Sequence, residues 1–191
     1  MLTRNDLALV LASSSPRRRD LLTEAGYAFQ VVPADVEEIE DPTLDVEELV
    51  RRNAVLKAQA IAGRFPESIV IGSDTLVALD GVALGKPKDL DEAFGMLSRL
   101  VGRTHIVLTG VCLIRASDGV EKLFVEETRV TFRPLGPDQI RRYLGMIHPL
   151  DKAGSYAAQE HGDFIIERTE GSWTNVVGLP MEKLAAALAT F

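Results

Sequence analysis

A single cysteine, Cys112, in 191 residues rules out an intrachain disulfide and a cysteine-based zinc cluster. It agrees with a reducing cytosol, so a cytoplasmic protein is expected. Long hydrophobic runs are missing as well. The N-terminal MLTRNDLALVLASSSP holds too short an apolar stretch for a membrane span, arginines follow directly, and no signal peptide or membrane partner is expected. Basic charge is not in surplus: 21 Lys and Arg stand against 28 Asp and Glu, a net charge of −7. That speaks against a general nucleic-acid binder, and a polyanionic ligand would need local basic residues rather than a global field. The chain has no internal repeat, Walker A sequence, dinucleotide-binding glycine fingerprint or glycine-flanked nucleophile elbow; the last absence removes a serine-hydrolase reading. His105, His148 and His161 are not at metal-ligand spacing, and His105, within a strand, reads as a core or face residue. What is present is 46% hydrophobic residues over a length sufficient for a sizeable core, in one domain or two small lobes.

The stretch that organises the chain is LASSSPRRRDLL, residues 11–22. An apolar run from Leu7 to Ala12 predicts a buried strand. Pro16 sits where a helix would begin, Leu21, Leu22 and Ala25 supply its apolar face, and Gly26 stops it. Ser13, Ser14, Ser15 and the first arginines therefore lie on a strand-to-helix turn. A helix N-terminus offers unpaired N–H groups and partial positive charge, which suits an anion. With hydroxyls and guanidinium forks added, a phosphate cradle is one reading; a solvated basic helix start with a serine cap is the other.

Further along, 27–32 reads as a strand ended by Pro33, and an acidic segment with Glu37, Glu38 and Glu40 follows. Carboxylate runs are usually solvated, and they can lend oxygen to a hard cation. Val46 to Ile61 recurs at helical spacing, with Lys57 beside the apolar stripe, either snorkelling or functional. Ile69 to Gly72 predicts a compact strand with Ser73-Asp74-Thr75 next and apolar character resuming at Leu76. Asp74, within or beside an apolar strand, needs a partner: local hydroxyls and N–H groups, or a metal or water. Asp80-Gly81 marks a hairpin, after which Val82 to Leu84 runs into Gly85-Lys86-Pro87. A helix over 89–101, strands over 104–115 and 122–132, and a short helix over 138–144 come next. A polar loop over 150–162 is of the kind that carries function. A strand over 164–168, a turn over 171–177 and a helix over 179–189 close the chain. The donors Ser13, Ser15, Arg17, Arg18, Lys57 and Lys86, set against the carboxylates Glu37 and Asp74, suit metal-assisted hydrolysis of a phosphoanhydride.

LASSSPRRRDLL, IGSDTLV, LGKP, DKAGSYAAQ and NVVGLP, in this order and spacing, resemble the Maf family of nucleoside triphosphate pyrophosphatases. The resemblance covers nearly the whole chain, read as a single domain over 1–191. It implies an α/β fold like that of inosine-triphosphate pyrophosphatases: a long mixed β-sheet flanked by helices in two lobes, with the nucleotide in a central cleft. It also implies release of pyrophosphate from a nucleoside triphosphate, a divalent cation (Mg²⁺ or Mn²⁺), a homodimer and a role in cleansing the nucleotide pool. By position it makes Asp74 the presumed base, with Arg18, Lys57 and Lys86 on the phosphates and Glu37 with Asp74 on the cation. Ser13 and Ser15 belong to the first motif. Arg17, Thr75 and Gln159 look like the dTTP/UTP subtype, since a glutamine amide can donate to and accept from a pyrimidine edge. The chain departs from the family's YGIQG in having Tyr156-Ala157-Ala158-Gln159-Glu160, which bears on the base pocket. Two other readings stay open: the same chemistry on another base, of 7-methyl-GTP or CTP type, or a nucleotide-binding regulator of cell division without turnover. Arg18 and Lys86 lie on turns rather than core stripes, so their loss is expected to spare the fold.

Overall fold

The computed structural model describes residues 8–191; Leu7, the expected start of the first strand, lies outside them. Strand β1 (Leu9–Leu11) runs between β2 (Phe29–Val31) and β3 (Ile69–Leu79), parallel to both. Helix α1 (Pro16–Glu24) joins β1 to β2, and α2 (Val46–Ala62) crosses from β2 to β3. Beyond β3 the pairing is antiparallel. β4 (Val82–Leu84) folds back through Asp80-Gly81, both at positive φ (54° and 78°) as a tight two-residue hairpin requires. β5 (Thr104–Arg115), β6 (Val120–Phe132) and β7 (Ile166–Glu170) then extend the sheet, giving the order β2-β1-β3-β5-β6-β7 with β4 on β3. The remaining helices are α3 (Leu90–Leu100), α4 (Pro137–Leu144), α5 (Gly162–Ile165), α6 (Trp173–Val177) and α7 (Met181–Leu188). Among the described residues no helix is long and apolar enough to cross a membrane.

Strand periodicity decides which helix covers which face. Leu9, Leu11, Ile69, Ile71, Val111 and Leu113 pack with Leu21 and Leu22 of α1 and Leu184 and Leu188 of α7. The alternate positions Val10, Val70, Cys112 and Ile114 pack with Ala54, Ala58 and Ile61 of α2 on the opposite face. A further core lies at the other end of β3, where Val77 and Leu79 meet Leu97 and Leu100 of α3 and Tyr143 of α4.

This topology leaves a gap in the sheet. β1 pairs with β3 only as far as Ile71, and β4 begins pairing at Val77. Between these points β3 has β5 on one side and, among the described residues, no strand on the other. The gap lies beyond the carboxyl end of β1, where the chain has turned to β2 by one helix and to β3 by another; open α/β sheets bind ligands at such a switch point. Because a strand edge is open there, side chains from both faces, Asp74 and Thr75, reach the same space.

Two glycines bring α2 onto the sheet. A Cβ on Gly72 would fall on the Ala54 carbonyl and lie 2.6 Å from Ala58 N; one on Gly110 would fall on the Val50 carbonyl. These are backbone atoms that cannot rotate away, so α2 touches β3 and β5 main chain to main chain.

Of the two placements open for Asp74, the structure has it within the strand: β3 runs unbroken through Ser73-Asp74-Thr75, because β5 pairs with it along this length and α2 supplies the partners that Asp74 needs. Two elements differ from the sequence reading. Gly162–Ile165 is a helical turn, and strand β7 begins only at Ile166, since Ile165 is buried in the α3–α4 core and Phe164 stacks on Tyr143. Trp173–Val177 is helical, capped by the Ser172 hydroxyl, which accepts from Asn175 N.

Gly72→Ala and Gly110→Ala are each expected to lower unfolding free energy in urea by about 1–3 kcal/mol or more, as overpacking does. The buried His105 gives a second expectation. It packs edge-on against Phe132 and Tyr156, its Nε2 lies 3.1 Å from the Tyr156 hydroxyl, and among the described residues its Nδ1 has no hydrogen-bond partner. Burial pushes its pKa down to about 4. The unfolded chain takes up this proton near pH 6.5 and the folded chain only near 4, so stability present above pH 6.5 is lost as pH falls through that window. Against a His105→Gln variant, wild type should lose about 3 kcal/mol more between pH 7.5 and pH 4, at 1.36 kcal/mol per unit; urea titrations at the two pH values read it.

Candidate active site

A cleft of about 980 Å³ opens at the gap in the sheet, within the size range of small-molecule sites. Its wall includes Ser13, Ser15, Arg17, Arg18, Lys57, Asp74, Thr75, Lys86 and Gln159, so residues scattered over 147 positions of the sequence meet at one place. Glu37 does not: it is exposed and outside the lining, whereas Glu38 is within it.

The centre of the cleft is a carboxylate–ammonium–carboxylate arrangement. Lys57 Nζ on α2 donates to Asp74 Oδ1 at 2.7 Å and pairs with Glu38 Oε1 at 2.8 Å. Lys57 and Asp74 are 8% and 5% exposed, and ions so placed are costly unless paired. Asn53, one helical turn before Lys57, donates through Nδ2 to the Ile39 carbonyl and to Asp74 Oδ2 (3.2 and 3.4 Å), while its Oδ1 accepts from Ile39 N at 2.7 Å. This grip on the backbone of Ile39 sets the register of the acidic segment, and Glu38 rather than Glu37 is the carboxylate delivered to Lys57. Burial alone would raise the Glu38 pKa; the hydrogen bond and charge of Lys57, with Lys86 and Arg18, outweigh it and hold the carboxyl below its usual range.

Arg18 is a clamp as well as a cation. Its Nε donates to Gly178 O (2.9 Å), Nη1 to Ser13 Oγ (3.0 Å) and Nη2 to Thr75 Oγ1 (3.0 Å). It thereby joins the start of α1, strand β3 and the turn after α6. Burial is the largest influence on its guanidinium and lowers the pKa from its ordinary value, with Asp74 pulling the other way. Each Nη nitrogen keeps one more N–H, since a guanidinium has five. The expectation that Arg18 can be removed without cost to the fold is corrected by this geometry. Thr75 is similarly engaged, with its hydroxyl 3.0 Å from Thr109 Oγ1. Ser15 caps α1 by backbone geometry, with no side-chain capping bond, and its own N–H donates to Ser13 Oγ at 3.2 Å.

Lys86 and Gln159 are exposed on the rim, and among the described residues neither side chain has a hydrogen-bond or ion-pair partner. Arg17 pairs with Asp151 at 3.5 Å. The loop that carries Gln159 is held from behind: the Tyr143 hydroxyl donates to Ala157 O and accepts from Ala157 N, both at 3.1 Å. Sequence reasoning missed Glu38, Asn53 as a positioning group, Gly178 as an acceptor, and Lys152. Asn53 carried a usable signal, a polar residue four before Lys57 on an otherwise apolar stripe. Glu38 and Gly178 carried none.

The family model described as "Maf-like protein" matches residues 8–191. A relative from Akkermansia muciniphila named "dTTP/UTP pyrophosphatase" is 47% identical over 180 residues, 94% of each chain. One of the same name from Pelotomaculum thermopropionicum is 46% identical over 183 residues, 96% of each chain. Among solved structures, "The structure of the Staphylococcus aureus Ham1 protein" is 18% identical, with a TM-score of 0.47, covering 81% of this chain and 89% of that one.

Arg18→Ala removes three charged hydrogen bonds and is expected to cost about 3 kcal/mol of unfolding free energy. Lys86→Ala, at an exposed position with no hydrogen-bond or ion-pair partner among the described residues, should stay within about 0.5 kcal/mol of wild type. Parallel urea titrations of the two variants test this contrast.

Proposed function

Because the chain belongs to the Maf-like protein family, we propose that it hydrolyses dTTP and UTP to the nucleoside monophosphate and pyrophosphate. The observation that carries this reading is the meeting, in one cleft at the switch point of the sheet, of the serine–arginine turn and Lys86 with the buried Lys57–Asp74 pair. A triphosphate lies with its phosphates toward Ser13, Ser15, Arg17, Arg18 and Lys86. Asp74 orients a water for attack on the α-phosphorus and takes its proton. Lys57 holds Asp74 and Glu38 in place, and Arg18, Lys57 and Lys86 offset charge that develops on the phosphates. The Gln159 amide, without a hydrogen-bond partner among the described residues, faces the base edge.

The donor set fits a divalent cation. Glu38 and Asp74 both lie within hydrogen-bond distance of one ammonium, so their oxygens are close neighbours. Among the described residues no group of three or more His, Cys, Asp or Glu forms a closed metal cage. Mg²⁺ characteristically uses one or two carboxylates with substrate phosphates and water. The cleft also needs added positive charge, because its carboxylates slightly outnumber its cations. When bound, the cation would supply Lewis-acid stabilisation of the phosphate oxygens. Homodimerisation belongs to the same proposal.

Pyrophosphate and nucleoside monophosphate should be the products, and chelation should stop turnover; NDP with orthophosphate as the main products would overturn the reading. Asp74→Asn should lower kcat at least ~10²-fold, the lower end for general-base catalysis, with nucleotide binding retained. A folded, fully active Asp74→Asn enzyme would remove Asp74 as the base. Lys86→Ala should lower kcat/KM on the order of 10²-fold, as loss of one charge-stabilising donor does.

A further inference from the structure

The loop that carries Gln159 contains a buried charge that the reaction as described does not use. Lys152 is 5% exposed, yet it borders the cleft. Its ammonium donates to His148 O at 2.8 Å and to Asp151 Oδ1 at 2.9 Å, and it lies 3.8 Å from Glu160 Oε1. The other oxygen of Asp151 faces Arg17 Nη1 at 3.5 Å. A chain of charges therefore runs from the start of α1, through Asp151 and Lys152, to the residue that follows Gln159.

We propose that Lys152 is a positioning residue that sets the base-reading end of the cleft, by holding Glu160, and with it Gln159, in register with the phosphate end at Arg17. The proposal rests on the reading that Gln159 contacts the base. The backbone before Gln159 is fixed without charge: Gly154 N donates to Gly85 O at 3.1 Å, and Tyr143 holds both polar groups of Ala157. Among the described residues no side-chain hydrogen bond or ion pair reaches positions 158–160 except the one between Lys152 and Glu160. An ammonium is also a poor choice for filling this volume. Its burial is costly unless acceptors surround it, and an apolar chain of the same length would fill the space without that penalty. Its value here is that one cation contacts two carboxylates that face the cleft. Burial on its own would raise the Asp151 carboxyl; the hydrogen bond and charge of Lys152, with Arg17, hold it below its usual range, so the linking group stays ionised.

The test is steady-state kinetics of the full chain on dTTP, UTP, dCTP and dGTP, with melting temperature measured on the same preparations. Lys152→Met keeps length and removes charge. It is expected to raise KM for dTTP and UTP by about tenfold, with kcat and the values for dCTP and dGTP changed by less than about threefold, which is the signature of lost ground-state positioning. Lys152→Arg should restore most of the selectivity. Glu160→Gln should shift selectivity in the same direction by a smaller factor, and it carries the test if Lys152→Met fails to fold. Equal losses on all four bases, or a lower melting temperature with unchanged selectivity, would reduce Lys152 to a structural role and overturn the proposal. The wild type separates the two readings. A wild-type enzyme indifferent to the base overturns the base-reading role of Gln159, and the proposal with it; a selective wild type with an equally selective Lys152→Met overturns the positioning role alone.

Discussion

The site depends on how closely α2 lies against the sheet. Gly72 and Gly110 remove the two side chains that would hold the helix off, and the main chain of α2 rests on β3 and β5 at those points. A lysine on α2 can then reach a carboxylate on β3 at 2.7 Å with both groups nearly sealed from water. Raising the helix by the thickness of one methyl group would turn a tight ionic contact into two solvated charges. Asn53 uses the same closeness in the other direction, gripping Ile39 and so bringing Glu38 to the far side of Lys57. A packing constraint thus becomes an electrostatic one.

The second determinant is the uneven length of the strands. β1 contributes three residues and β3 eleven. The unmatched middle of β3 becomes an edge inside the sheet rather than at its margin, and the strand periodicity that separates the two cores also separates the two roles along it. Asp74 points to the α2 side with Gly72, while Ser73 and Thr75 point to the α1 side, where the Gly178 carbonyl and Arg18 collect them. Arg18 joins structure and chemistry in one side chain: three of its donors knit the cleft wall and the rest remain for an anion.

Charge is distributed locally rather than globally. The chain carries −7 overall, and even within the cleft carboxylates offset the cations. Such a site does not attract polyanions indiscriminately. On the proposed function, it suits a ligand that arrives with its own counter-cation and is read at both ends.

Much of the fold was legible in the sequence because it is written in local patterns: alternation for the strands, apolar spacing for α2 and α3, Pro16 and Gly26 around α1, Asp80-Gly81 at the hairpin. Ser13, Arg17, Arg18, Lys57, Asp74 and Lys86 were legible as a set because each is a polar or charged group in or directly beside an apolar strand or helical stripe, where it needs a partner. The boundaries at Ile166 and Trp173 were not, because tertiary burial of Ile165 and stacking of Phe164 overrode local propensity. Nor was the choice between adjacent glutamates. Glu37 and Glu38 are chemically identical, and what distinguishes them is a pair of hydrogen bonds between Asn53 and the backbone of Ile39, 14 residues away. The same holds for Lys152, which reads as one more loop charge until the fold surrounds it. Sequence alone determined which chemical groups were available and on which element each would sit, since periodicity and capping act over a few residues. Only the tertiary structure decided which of them meet and which are shielded from water, because pairing a charge and removing it from solvent depend on chain segments that are distant in sequence.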